Sequence, residues 1–471
     1  MHTVARLQSR ERSARPLSRL VSALHTPLAA RISAPRTRQS CNLPTRTVIP
    51  PLVAAAFDRL AARVSKWPRS ARHATTQALL AAAVLWSALI GMWALGGGNR
   101  SVAGPIKGAD LLQFYTSGFL VRTHQTEKLY DIRALHETQV ALVPESDPEL
   151  YPPVYPPQMG LIFAPFSALS YRAALLLWTL VTISIYAVVV YAAWRRVREW
   201  VPDSALVAAA AACFPGLWSV VLDGQLTMLI VLAFWLAASA LERDWKFVAG
   251  GAFGLLLLKP QFGLVIAAVA LALGEWRIIA GAAASVGLQA AVILLVLGRR
   301  VVDAYASFVP VALRYADLLE PKPYQSHSLR ALTRLAPSWL AVPLWMCASA
   351  AVIVVAIKVW RVSTHWRLRT SILILASVLV NPHLIVYDSA VLAFPLLWIG
   401  AYLTEAGAGS VPRAYWTLVY WLFVTLLAPT AAAVPLQVSV LLMIGILYVA
   451  AKAAAHEAGA PPAQPVLLPA A

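Results

Sequence analysis

Polar side chains are scarce in the apolar stretches of this chain, and those that interrupt them are of types that move protons or hold phosphates. Asp110 lies in GADLLQFYTSG (108–118), just past the first long apolar run. An ionised carboxylate there either takes a proton from a hydroxyl within hydrogen-bond reach or serves as a solvated acid at a helix start. Lys259 stands in a Lys259-Pro260-Gln261 turn between two apolar halves, FVAGGAFGLLLL and FGLVIAAVALAL. It either snorkels to a membrane surface or meets a phosphate as a point charge, where it would stabilise charge building on a departing group. Gln225 follows Asp223-Gly224 and either completes a polar turn or offers its amide to a sugar hydroxyl. His327 and Arg330 lie three apart in YQSHSLRAL (324–332). On a helix they would face one way, toward a phosphate or toward solvent. His383, Tyr387 and Asp388 interrupt an apolar stretch in NPHLIVYDSAVLAFP. They form a polar turn between two spans or part of a site, and a continuing helix would put His383 and Tyr387 on one face. The sequence has no HExxH, Cys/His cluster or paired acidic motif, so no metal or other cofactor is expected, and no phosphate-cradling glycine loop, so a soluble sugar-nucleotide donor is not expected. Cys41, Cys213 and Cys347 are scattered and suggest no disulfide framework.

The elements that carry these residues are membrane spans. The chain has 471 residues, 59% hydrophobic and only 13% charged, with a mean hydropathy of +0.67. Soluble domains carry about twice that share of charge. Apolar runs long enough to span, or nearly so, are expected at about 76–97, 170–193, 204–222, 225–241, 278–297, 338–357, 370–386, 387–404, 414–428 and 433–451. Pro260 and Lys259 would break residues 247–273 into a hairpin of two short helices with Lys259 at its tip. The expected class is an all-α polytopic membrane protein with about 10–12 passes and a long first outer loop.

Charge sets the expected sidedness. Residues 1–73 hold 14 Lys/Arg against Glu11 and Asp58, a net +12 out of +18 overall. Such a segment holds its end of the chain in the cytoplasm, touches anionic headgroups and shows no nucleic-acid motif. Its composition also resembles a transit peptide, and its stretch 52–67 has the spacing of a helix lying flat on the membrane. The connections WRRVREW (194–200), ERDWK (242–246), EWR (275–277) and KVWRVSTHWRLR (358–369) are basic and would share the cytoplasmic face with both termini. Asp110, Gln225, Lys259, His327, His383 and Asp388 then fall on the other face; Arg299 and Arg300 break the rule. Residues 109–122 have helical spacing and would lie along the interface. YPPVYPP (151–157) is stiff and extended, because each proline restricts its predecessor. The expected organisation is a basic extension (1–73), a membrane-embedded domain (74–453) and an Ala/Pro-rich tail (454–471).

Several stretches, in this order and spacing, resemble glycosyltransferase family 87 of the GT-C superfamily. They are GADLLQFYTSGFLV with LYD (129–131), YPPVYPPQMGLIFAPFSALSYRAALLLW (151–178), DGQLTMLIVLAFWLAA (223–238), FVAGGAFGLLLLKPQFGLVIAAVALALGEWR (247–277), QSHSLRAL (325–332) and NPHLIVYDSAVLAFPLLWI (381–399). The resemblance, taken over about 80–452, implies a GT-C-like helical bundle in the cell or inner membrane. It implies an inverting transferase with a polyprenyl-phosphate-mannose donor and a glycan or lipid acceptor on the non-cytoplasmic side. Asp110 then occupies the place of the catalytic base, and Phe114-Tyr115 that of a following aromatic pair. Lys259 with Arg330 would meet the phosphate; Tyr115, Gln225 and His383 would position sugar or acceptor; Gln261, His327, Tyr387 and Asp388 complete the candidate set. Leu226 stands where family members often carry Asn, with Thr227 next to it. The rival expectations are a transporter or lipid flippase, since Lys259 breaks a helix as transporters do, and a non-catalytic scaffold.

Overall fold

A computed structural model describes residues 70–314, 323–407 and 411–459. The basic segment before Ser70 and the tail after Gly459 lie outside the described residues, and so does the flat helix expected at 52–67. Among the described residues eighteen α-helices, joined by turns and 3-10 segments, run in the order α1 (Ala71–Ala94), α2 (Ala109–Arg122), α3 (Ile132–Leu142), α4 (Gln158–Phe163), α5 (Tyr171–Arg195), α6 (Ser204–Ala212), α7 (Pro215–Asp223), α8 (Thr227–Leu241) and α9 (Lys246–Gly254). There follow α10 (Gly263–Leu273), α11 (Trp276–Val296), α12 (Arg299–Arg314), α13 (Leu329–Thr333), α14 (Ser338–Val362), α15 (Trp366–Val380), α16 (Ala393–Glu405), α17 (Val411–Leu427) and α18 (Val438–Gly459). Among the described residues seven helices or helix pairs are long and apolar enough to cross a membrane, and four apolar helical segments are shorter. This is an all-α polytopic membrane protein.

The core is graded. Every residue from Phe394 to Leu403 in α16 is buried, as are Thr370 to Val380 in α15. Helices apolar all round belong inside, and these two pack on each other and, variously, on α5, α10, α14 and α18. By contrast α1 buries only Ala82 and Leu89, and α11 only Ile278, Gly281 and Ile293. Their remaining apolar surface has lipid as its natural cover.

Local chemistry sets the breaks. Ser70, Asp131, Ser170 and Asp203 cap α1, α3, α5 and α6 with side-chain oxygens, satisfying backbone N–H groups with no helical partner. Pro215 splits the span expected at 204–222 into α6 and α7. Asn381-Pro382 ends α15, because the residue before proline is pushed out of the helical region. The Asn381 side chain accepts from the His383 N–H at 2.9 Å and closes the turn. A 3-10 segment (Val386–Leu392) then leads into α16. No continuous helix therefore carries His383 and Tyr387 on one face.

The turn at Lys259 reverses the chain as expected. At the far ends of the two arms Lys246 bonds Glu275 at 2.9 Å, so residues 246 and 275 return to the same place. The basic connections meet there too. Arg196 pairs with Glu242 at 3.0 Å and its carbonyl accepts from Arg367 at 3.1 Å; Arg367 reaches Glu405 at 3.2 Å, and His365 reaches Glu457 at 3.0 Å.

Two of the loops contain helices of their own. Helix α2 forms where helical spacing predicts it, and it is packed into the protein. Leu111 to Thr116 are all buried, and α4 packs against it. The expected outer connection 298–337 contains α12, an amphipathic helix that explains the misplaced arginines. Arg299 and Arg300 are exposed at its start, Arg299 faces Asp303 at 3.5 Å, and Val301 and Phe308 are buried beneath.

Candidate active site

Two tight turns bring Asp110 to its partner. Gly108 precedes α2 with φ +63°, and Gly224 ends α7 with φ +67°; both are left-handed conformations that glycine adopts without a Cβ penalty. The two turns touch. A Cβ on Gly224 would lie 2.7 Å from Leu111 Cβ and 3.2 Å from Gly108 Cα. The Tyr171 hydroxyl holds the first turn by donating to the Lys107 and Gly108 carbonyls, both at 2.8 Å; the Trp178 N–H holds the second through the Gly224 carbonyl at 3.2 Å. Gln225 is thereby set beside Asp110, and its Nε2 donates to Asp110 Oδ2 at 2.6 Å.

A second polar group stands alongside. Lys259 Nζ lies 2.6 Å from Asp388 Oδ1, with the two side chains 3% and 1% exposed. Thr227 completes a triangle: its hydroxyl donates to Asp388 Oδ1 at 3.0 Å and accepts from Lys259 at 3.2 Å. The ammonium also lies over the rings of Tyr387, 4.7 Å away, and Tyr155, 5.8 Å away. Asp388 Oδ2 is buried with no hydrogen-bond partner among the described residues.

Tyr155 joins the two groups. Its hydroxyl donates to Gln225 Oε1 at 3.2 Å, while its ring faces Lys259. Asp110 therefore shares one polar cluster with Gln225, Tyr155, Lys259, Thr227, Asp388 and Tyr387, and His383 is near enough to bias its ionisation. Burial pushes the Asp110 carboxyl above its ordinary 3.8, while the Gln225 hydrogen bond and then the Lys259 charge pull it down. Burial likewise pushes the Tyr155 phenol up to about 12.

The remaining sequence candidates make other contacts, with the His327 backbone N–H on the Leu384 carbonyl at 2.9 Å, beside His383. The Tyr115 hydroxyl donates to the Leu169 carbonyl at 2.8 Å and its ring stands edge-on to Tyr171, so it braces the segment before α5 rather than Asp110. His327 precedes α13 instead of sharing a helix face with Arg330. Its Nδ1 meets Ser439 Oγ at 2.7 Å, and burial lowers its pKa to about 3. The Arg330 guanidinium lies over Trp345 at 5.9 Å. Gln261 is half-buried in the turn after Pro260 and makes no side-chain hydrogen bond among the described residues. Tyr155 and the direct Lys259–Asp388 contact escaped sequence reasoning. The available signal for Tyr155 was a polar ring held rigidly between two Pro-Pro pairs. Among the described residues no three His, Cys, Asp or Glu side chains gather as a metal site.

The family model for glycosyltransferase family 87 matches residues 154–395, just over half of the chain. This protein belongs to glycosyltransferase family 87. A search of curated proteins gave no match, and a search of solved structures gave none either. The family match takes in Tyr155, Gln225, Thr227, Lys259 and Asp388 but not Asp110, which geometry alone joins to them. As a member of the family the protein is a membrane glycosyltransferase.

Proposed function

We propose that this family 87 glycosyltransferase is an inverting enzyme that moves a hexose, mannose, from a polyprenyl phosphate to a glycan or lipid acceptor. Asp110 takes the proton of the acceptor hydroxyl. That oxygen attacks the anomeric carbon from the face opposite the phosphate. The bond from that carbon to the phosphate oxygen breaks, its electron pair leaves with the phosphate, and the sugar inverts. Lys259 neutralises the charge arriving on the released polyprenyl phosphate. Asp388 Oδ2 accepts a sugar hydroxyl, and His383 and Tyr387 bound the same site. The basic connections lie in the cytoplasm in this scheme, so the cluster faces the opposite compartment, in the GT-C manner.

The observation that carries the proposal is the meeting of Asp110 and Lys259, far apart in sequence, through Gln225 and Tyr155. A base and a cation in one polar cluster are what transfer from a phosphate leaving group needs. The test uses purified protein in liposomes, labelled polyprenyl-phosphate-mannose and lipid-linked or glycan acceptors. Transfer by the native enzyme and its loss in Asp110→Asn are expected. Full activity in Asp110→Asn would remove the base, and lipid movement across the bilayer without a glycosylated product would favour a flippase.

A further inference from the structure

The amide of Gln225 has its orientation dictated from outside the acid. Its Oε1 receives the Tyr155 O–H at 3.2 Å and the backbone N–H of Leu226 at 3.1 Å. A backbone N–H can only donate, so this end of the amide is the oxygen and the other end is the NH2 group. That NH2 points at Asp110 Oδ2, 2.6 Å away. Rotated by half a turn, the amide would set its lone pairs against a carboxylate.

Tyr155 is itself held rigidly. Its carbonyl accepts from the Tyr130 hydroxyl at 3.0 Å, and its ring stands edge-on to Phe114 with centroids 5.0 Å apart. Pro153, Pro156 and Pro157 flank it and restrict the backbone. All of these supports come from the long loop between α1 and α5, which gives that loop a task beyond connecting two spans.

From this geometry we infer that Tyr155 is a positioning residue for Asp110: acting through Gln225, it fixes which carboxylate oxygen is occupied and leaves Oδ1 to the acceptor hydroxyl. Asp110 Oδ1 makes no hydrogen bond among the described residues. The inference rests on the proposed role of Asp110 as base and extends it to a residue that never touches the reacting atoms.

The charged and titratable groups around Asp110 are Lys259, Asp388, His383 and Asp223, with Tyr151, Tyr155, Tyr171 and Tyr387. Tyr155→Phe changes none of the formal charges at neutral pH, so its effect on Asp110 runs through the amide. A donor on the ionised form lowers a carboxyl pKa, and loosening that donor raises it. The test therefore titrates the Asp110 carboxyl by infrared difference against Asp110→Asn in the full-length protein, and measures transfer in parallel per folded molecule. Tyr155→Phe should raise the Asp110 midpoint by about half a unit and move the acid limb of kcat/KM upward with it. It should lower kcat by roughly tenfold with donor KM little changed. In a Gln225→Ala background the same substitution should have no further effect on either readout. An unmoved midpoint, or an equal effect in both backgrounds, overturns the inference. Absence of transfer by the native enzyme, with the midpoint shifted as stated, would instead count against the donor and reaction proposed above while leaving the Tyr155–Gln225–Asp110 coupling intact.

Discussion

Replacing Lys259 by Met isolates the buried ion pair. The charges are 2.6 Å apart and both side chains are nearly inaccessible. At an effective dielectric of about 20 their attraction is about 6 kcal/mol. Desolvation costs several kcal/mol for each ion, so the intact pair contributes little net stability. Removing one member is different, because the desolvation of the other persists without compensation. Lys259→Met leaves Asp388 buried with, among the described residues, only the Thr227 hydroxyl as side-chain donor, and the expected loss is about 3–5 kcal/mol. Adding Asp388→Asn removes the stranded charge and should restore about 2 kcal/mol or more of that loss. Reversible unfolding in mixed micelles titrated with denaturing detergent reads these differences. Transfer should stay absent in the stabilised double variant, since the cation proposed to meet the phosphate is gone. A cost below about 1 kcal/mol for Lys259→Met, or a double variant no more stable than the sum of the single losses, would refute the argument that the pair is buried and mutually dependent.

Asp110→Asn should keep the fold and lower transfer by about 10²–10⁴-fold, the usual contribution of a general base. Because burial raises the native carboxyl above 3.8, and only the ionised form accepts a proton, the wild-type rate should fall with decreasing pH earlier than an ordinary carboxylate would dictate. Gly224→Ala meets both a left-handed backbone and the Gly108–Leu111 turn; it should separate Gln225 from Asp110 and abolish transfer, with loss of kcat measured on the folded fraction. His327 is held neutral by burial, with a native pKa near 3 against 6.5 for the free side chain. The unfolded chain therefore takes up a proton first as pH falls, so stability should drop from pH 6.5 downward, by up to about 2 kcal/mol at pH 5. His327→Gln should flatten that dependence in the same unfolding assay.

How much of the site was legible follows from what each residue has to do. Lys259 and Asp388 stand out in any reading, because a charge amid apolar residues is costly and rarely idle. Asp110 stands out by its place after the first span. Tyr155 does not, since a tyrosine near a membrane surface is ordinary and its importance lies in one hydrogen bond to a residue seventy positions away. The helix face expected to be shared by His327 and Arg330 does not form. Three-residue spacing has meaning only on a helix, and the helix begins at Leu329, beyond His327.

Composition and periodicity alone were enough to specify an all-helical membrane protein, its longest apolar helices and the reversal of the chain at Lys259, although the spans expected at 225–241, 370–386 and 414–428 form helices of only 15, 15 and 17 residues. Those are properties of contiguous segments, and the cost of exposing apolar side chains or unpaired backbone to the wrong solvent decides them locally. The partners of the polar groups belong to the folded chain. That Lys259 meets Asp388, and that Gln225 turns its amide to Asp110, depends on which helix ends pack together. Such contacts follow from side-chain shape and two glycine turns rather than from any local pattern.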